Sequence, residues 1–431
     1  MLTEPPFRHI IHHMNDIYSP HDVLYRPRWA ADALRGAASA NPVVVLTGAR
    51  QTGKSTLLKN EQPFASWRYV TLDDFDALEA ARHEPEILWS GARGLVLDEV
   101  QKAPGVLSAV KAAVDLDPGL RIALSGSANL LLMQHVSESL AGRAVYLDLG
   151  PMTLGEIERA AVPDILQELL AGRLPAEGMT RAEDPLPHML RGMMPRLIGA
   201  SADRSAQWWD GYVATYLERD LRQLSQVESL PDFRRVMVAL ALRQGQLLNQ
   251  SEVARDTAVS QPTTHRYINL LEASSLLTKL PSYAVNRTKR IVKSPKPFWF
   301  DAGLSSFLSG HYDVESLRAS REVGGAFEAL VLQHLAVLAR QLTPRARLHY
   351  WRTTTGLEVD CVVEHGRRLV AFEFKLSDTP RLGDAGVLVT FMREHPETSA
   401  GVVVHSGGAI RRLSDKIVAV PWTAIAGTLR G

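Results

Sequence analysis

The stretch GARQTGKSTLL, Gly48 to Leu58, constrains this chain more than any other. It follows the apolar run Val43-Val44-Val45-Leu46 and precedes a helix-forming sequence, so the order reads strand, glycine-rich loop, helix. Gly48 and Gly53 bracket the loop and Lys54-Ser55 follow, matching G-x-x-x-x-G-K-[ST] in the context that pattern needs. Glycines let backbone N–H groups converge on phosphate, and the helix N-terminus adds the positive end of its dipole. Gly48, Ala49, Arg50, Gln51, Thr52, Gly53, Lys54, Ser55 and Thr56 are therefore the expected nucleotide cradle. Lys54 would neutralise the β- and γ-phosphates and the Ser55 hydroxyl would bind Mg²⁺, which makes ATP and Mg²⁺ the expected cofactors.

A second buried strand, Gly94-Leu95-Val96-Leu97, ends in Asp98-Glu99, and open parallel sheets place ligands at such C-terminal ends. Asp98 is expected in the Mg²⁺ shell and Glu99 as the group that polarises the attacking water. A third strand, Arg121 to Leu124, runs into Ser125-Gly126-Ser127-Ala128-Asn129. Ser125 is the first candidate to sense the γ-phosphate or orient the water, with Ser127 and Asn129 behind it, and Ser127 serves equally as a helix cap. Arg143, after the turn of SLAGR, is a candidate to touch the γ-phosphate in cis or across a subunit interface.

At 431 residues the chain has room for roughly three domains. Its 48 Lys+Arg against 47 Asp+Glu leave a net charge of +1, so affinity for nucleic acid would have to come from local patches. The single cysteine, Cys361, cannot form an intramolecular disulfide and fits a reducing compartment. The first residues carry Pro and charge where a signal peptide needs an apolar stretch, and no apolar run approaches the length of a membrane span. A cytoplasmic protein with no membrane partner is expected.

GARQTGKSTLL, VLDEVQKAP, LSGSANLLL and SLAGRAVYLDLGPMTLGEI, in that order, resemble a prokaryotic AAA+ ATPase family with an uncharacterised C-terminal region. YVATYLERDLRQLS, GQLLNQSEVARD and NRTKRIVKSPKPFWFDAGL continue the likeness over nearly the whole chain. The resemblance implies a homo-oligomer, a hexameric ring in which one subunit's arginine completes its neighbour's ATP site. Arg219 and Arg222 compete with Arg143 for that role.

The expected fold is α/β: an N-terminal segment (1–40), a P-loop parallel-sheet core (41–150), a helical lid with connecting helices (151–245), a winged helix-turn-helix (246–310) and a C-terminal α/β nuclease-like domain (315–431). Tyr212, Tyr216, Leu217, Leu221 and Leu224 recur near helical spacing and predict core packing. Ser251 and Ser260 can cap two helices separated by a short turn. The second offers Gln261, Thr264, His265 and Arg266 to a DNA groove. Arg287, Lys289, Arg290, Lys293 and Lys296 follow without an intervening acid and predict a basic wing that contacts phosphate. Phe298 and Trp299 are expected in the core.

In the last third, Asp360, Glu373 and Lys375 resemble the D-x(n)-E-x-K arrangement of PD-(D/E)XK nucleases. A tight turn over Glu364 to Arg367 would set Asp360 opposite Ala371 and put Asp360, Glu373 and Lys375 on one face. The two acids could bind Mg²⁺ and the lysine could act on water. By the same resemblance Glu328 is a further metal ligand; by strand alternation Glu358 shares the face of Asp360 and could substitute, while Cys361 points the other way, into the core. Three functions follow: a motor that moves or remodels duplex or branched DNA, as branch-migration motors do; an ATP-gated nuclease; and an ATP switch that binds a protein partner.

Overall fold

The computed structural model describes residues 25–126, 140–215, 227–284 and 293–427. Ser127, Asn129, Tyr216, Leu217, Arg219, Leu221, Arg222, Leu224, Arg287, Lys289 and Arg290 lie outside the described residues.

The N-terminal part is a five-stranded, all-parallel sheet: β1 (Val43–Thr47), β2 (Arg68–Thr71), β3 (Gly94–Asp98), β4 (Arg121–Ser125) and β5 (Ala144–Asp148), in the order β2-β3-β4-β1-β5. Helices α1 (Ala30–Ala40), α2 (Lys54–Asn60), α3 (Phe75–His83) and α4 (Val106–Leu116) cover it. Strand side chains alternate between faces, and burial on both faces is why the strands read as unbroken apolar runs. Val43, Val45, Leu95 and Leu97 pack with α4 on one side. Val44, Leu46 and Val96 pack with α1 and α2 on the other.

The chain then runs through α5 (Leu154–Ile157), α6 (Ile165–Leu170), the short strand β6 (Gly178–Met179), α7 (Leu186–Arg191) and α8 (Ala202–Tyr212). The expected lid is a correction: Leu154, Leu166, Leu169, Met189 and Met193 share one core with the C-terminal sheet, and β6 pairs with β13 of that sheet (Ala409–Ser414). The apolar faces of α5, α6 and α7 are buried against the last third, whereas Trp209 and Tyr212 of α8 pack in a separate core with Ala49 of the nucleotide loop.

Helices α9 (Leu230–Ala241), α10 (Gln250–Thr257) and α11 (Gln261–Ala273) follow, then the antiparallel pair β7 (Leu277–Leu280) and β8 (Lys296–Trp299). Asn249, not Ser251, caps α10 by accepting from the N–H of Glu252 at 3.3 Å; Ser260 caps α11 as predicted. Phe298 and Trp299 are buried, and Tyr212 stacks near Trp208 and Phe300.

The last third opens with α12 (Ala302–Leu308), α13 (Val314–Ala319) and the long α14 (Val323–Gln341). Strands β9 (Arg347–Arg352), β10 (Glu358–His365), β11 (Arg368–Lys375), β12 (Thr398–His405), β13 and β14 (Ile417–Pro421) form a mixed sheet with β6, joined by α15 (Gly386–Glu394) and α16 (Trp422–Ala426). Among the described residues α14 alone is long and apolar enough to cross a membrane, and most of it is buried in this core.

Candidate active site and the C-terminal acid pocket

The parallel register brings the chemistry to one sheet edge. Leu46 pairs with Ser125, Thr71 with Asp98 and Thr47 with Asp148, so the ends of β4, β3 and β5 border the loop that leaves β1. Within that loop Gly48, Gln51 and Gly53 have φ of 140°, 63° and 96°. A Cβ on Gly48 would stand 2.3 Å from the carbonyl oxygen of Leu149, so only glycine fits.

Lys54 opens α2 and is buried, its Nζ donating to the carbonyls of Gly48 at 3.0 Å and Ala49 at 2.8 Å. Burial pulls its pKa down to about 8, against the opposing charges of Glu99, Asp98 and Asp148. The Ser55 hydroxyl donates to Asp98 Oδ2 at 2.6 Å, and the Tyr69 hydroxyl donates to the same oxygen. Glu99 has a φ of 59°, a backbone conformation that a side chain rarely adopts and that recurs where function over-determines the chain. Its N–H donates to Asp98 Oδ1 at 3.0 Å and its carboxylate accepts from Gln101. Burial, and next the Asp98 charge, hold the Glu99 carboxyl above the usual carboxylate range. The Ser125 hydroxyl is buried with no hydrogen-bond partner among the described residues.

This donor set fits a magnesium triphosphate. An ammonium held by two exchangeable carbonyls can turn to phosphate, a hydroxyl and a carboxylate already share the place of a divalent ion, and a second carboxylate stands beside them.

Arg143 is a correction for contact in cis. It precedes β5, and Val43 pairs with Ala144 at the N-terminal edge of the sheet, opposite the edge that carries the loop. There it is tied to Asp115, with Nε and Nη2 donating at 2.6 and 2.8 Å.

Three residues distant from the loop in sequence support it. Arg28, buried, donates from Nη1 to the carbonyl of Thr52 at 2.7 Å and from Nη2 to those of Gly150 and Pro151 at 2.8 and 3.1 Å, while its Nε faces Glu156 at 3.1 Å. Arg340, on α14, pairs with Asp148 at 2.7 Å. Tyr212 donates to the carbonyl of Arg50 at 3.4 Å. Ala49 lines a cavity of about 330 Å³ together with Lys279, Phe298, Gln333 and Arg340, so loop, β-hairpin and α14 meet at one place. No sequence pattern marks Arg28 or Arg340, and helical spacing marks Tyr212 only as core, because each acts on the loop across a long separation.

Of the DNA candidates, Thr264 is a correction: it is fully buried and cannot meet a groove. Exposed His265 contacts Gln250 and Asn269, Arg266 pairs with Glu228 at 3.2 Å, and exposed Lys293 donates to the carbonyl of Arg352 at 3.4 Å. Gln261 is exposed at the start of α11.

In the C-terminal third the β10–β11 register pairs Cys361 with Phe372 and His365 with Arg368. The turn thus sits one residue further along than expected, and Asp360 lies toward Glu373 rather than Ala371, a slip of two that preserves the face. Asp360 accepts from the N–H of Phe374 at 2.8 Å, and Lys375 bonds Glu373 at 2.8 Å. Burial raises the carboxyls of Glu373, to about 7, and Glu328, with Asp360 adding in both cases. Cys361 is buried in the core.

Asp360, Glu373 and Glu328 are the residues expected to bind metal in this pocket. Among the described residues no three His, Cys, Asp or Glu side chains converge to hold a metal ion. Lys296, assigned to the basic wing from sequence, is instead 1% exposed and points into this pocket. Its Nζ contacts Glu358 and lies 3.7 Å from Glu328.

Comparison with known proteins finds matches to three parts of the chain. Residues 40–158 match an AAA domain family, residues 183–314 a domain of unknown function and residues 323–425 another domain of unknown function. Uncharacterized proteins of Mycobacterium tuberculosis and Mycobacterium bovis are each 34% identical over 412 residues, covering 94% of this chain and 86% of theirs. Among solved structures, the Walker-type ATPase PABY2304 of Pyrococcus abyssi is similar over 66% of this chain and 98% of its own, at 16% identity and a TM-score of 0.43. A signal-transduction ATPase with a tetratricopeptide-repeat sensor from Pyrococcus horikoshii covers 72% of this chain and 46% of its own, at 12% identity and a TM-score of 0.20. Superpositions that loose leave the assignment to the AAA-domain match and to the geometry of the loop.

Proposed function

This chain belongs to the family of its two uncharacterized mycobacterial relatives, a family with a P-loop AAA-type ATPase domain, and on that premise we propose that it hydrolyses ATP with Mg²⁺ to move or remodel DNA. The observation that carries the ATPase reading is the meeting of Lys54, Ser55, Asp98 and Glu99 at one sheet edge.

In this reading Lys54 leaves the Gly48 and Ala49 carbonyls for the phosphates, and Ser55 and Asp98 hold the magnesium ion, which supplies charge neutralisation at the phosphates. Glu99 accepts a proton from the attacking water, and its raised pKa favours that acceptance. Ser125 turns its unpartnered hydroxyl to the γ-phosphate or the water.

Three helices followed by an antiparallel strand pair support a winged-helix reading, and the segment between Tyr283 and Lys293 has the sequence of a basic wing. DNA is therefore the partner we propose. The cavity shared by Ala49, Lys279 and Arg340 supports coupling between nucleotide and hairpin. In an oligomer, half-buried Arg143 would have to leave Asp115 to reach a neighbour.

The test is phosphate release with and without duplex and branched DNA at low salt. Stimulation by DNA, weakening steeply as salt rises, supports the proposal. Turnover indifferent to DNA would leave the ATPase and remove the DNA partner.

A further inference from the structure

We propose that Lys296 is the resident cation of the C-terminal acid pocket, an ammonium supplied by the β-hairpin where a divalent ion would otherwise have to bind. The pocket then joins the hairpin to the last third of the chain instead of serving as a metal centre.

The carboxylates of Glu328 on α14, Glu358 and Asp360 on β10 and Glu373 on β11 would repel one another if left alone in a buried site. Lys375 on β11 bonds Glu373, Arg352 on β9 bonds Glu358 at 3.1 Å, and Lys296 from β8 faces Glu358 and Glu328. Cations from three strands thus enter one acid cluster, and the one from β8 is the most deeply buried of them.

The backbone around Lys296 holds it there. The Tyr350 hydroxyl donates to the carbonyl of Ser294 at 2.5 Å, the Tyr350 N–H donates to that of Pro281 at 3.0 Å, and the Tyr283 N–H donates to that of Tyr350 at 2.6 Å. Both ends of the described hairpin are therefore fixed to β9, and Lys296 enters from a rigid base rather than on a wandering side chain. Its ring neighbour is again Tyr350, with Nζ 5.8 Å from the ring centre.

The inference is tested on the full-length, nucleotide-free protein with Mn²⁺ as probe, read by electron paramagnetic resonance. Wild type and Asp360→Asn should take up the same amount of Mn²⁺, and uptake by wild type that Asp360→Asn abolishes would overturn the proposal. Melting supplies a second, independent reading. Lys296→Met should lower the melting temperature by roughly 10 °C, because it strands buried carboxylates. Lys296→Met combined with Glu358→Gln, which removes one charge of each sign, should recover part of that loss. A double variant less stable than Lys296→Met alone, or Lys296→Met as stable as wild type, contradicts a cation role. Failure here leaves the ATPase reading untouched, since no residue of the nucleotide loop is altered.

Discussion

Among the described residues two buried lysines stand among carboxylates, Lys54 at the nucleotide loop and Lys296 in the C-terminal pocket, and their partners differ. Lys54 bonds neutral carbonyls, and burial outweighs Glu99, Asp98 and Asp148 to pull its pKa down to about 8. Lys296 meets Glu358 directly, and although burial alone would pull it down, Glu328, Asp360 and Glu358 together hold it above the ordinary lysine value. The first ammonium lacks an anion and can gain one. The second already has its anions, so a buried lysine marks a site for an incoming phosphate only when its present partners are weak.

The comparison breaks if Lys54 turns out to be the structural member of the pair. Lys54→Met should abolish nucleotide binding yet leave the melting temperature near that of wild type, the reverse of Lys296→Met. Calorimetric titration with ATP beside a thermal melt of each variant decides it. Glu99→Gln should bind MgATP normally and lose turnover by about 10²- to 10⁴-fold, the range of a lost general base. Binding lost together with turnover would mean that Glu99 shapes the site rather than acts in it.

Arg28→Met should cost about 3–5 kcal/mol of stability, because it leaves Glu156 buried without its cation and releases the Thr52 carbonyl. Denaturant melts measure the loss, and an unchanged midpoint would show that the loop stands without this support. The smallest effect is in pH. Below about pH 8 Lys54 is charged and ready for phosphate; above it the free protein loses the proton and ATP binding must take one up. Affinity should therefore weaken as pH rises past 8, with proton uptake visible in buffers of different ionisation enthalpy. A flat affinity from pH 7 to 9.5 would place Lys54 outside the phosphate contact.

The nucleotide site was legible because its residues are local: Gly48 to Ser55 lie in one turn, and Asp98-Glu99 end an apolar strand that can only be buried. Parity along β10 and β11 also survived, since a slip of two residues returns each side chain to its face. What stayed hidden depends on long-range packing. Lys296 lies among Lys and Arg residues in sequence, and only the pairing of β7 with β8 and their attachment to Tyr350 turn it inward. Thr264 looks polar and available, yet the inner face of α11 buries it. The helices after Pro151 read as a lid because nothing local shows which sheet their apolar faces will cover.

The most direct measurement is phosphate release from ATP by purified full-length protein with Mg²⁺, run beside Lys54→Ala. The account predicts steady turnover that needs Mg²⁺ and disappears in the variant. Turnover that survives in Lys54→Ala, or no turnover and no retained nucleotide in wild type, would contradict it.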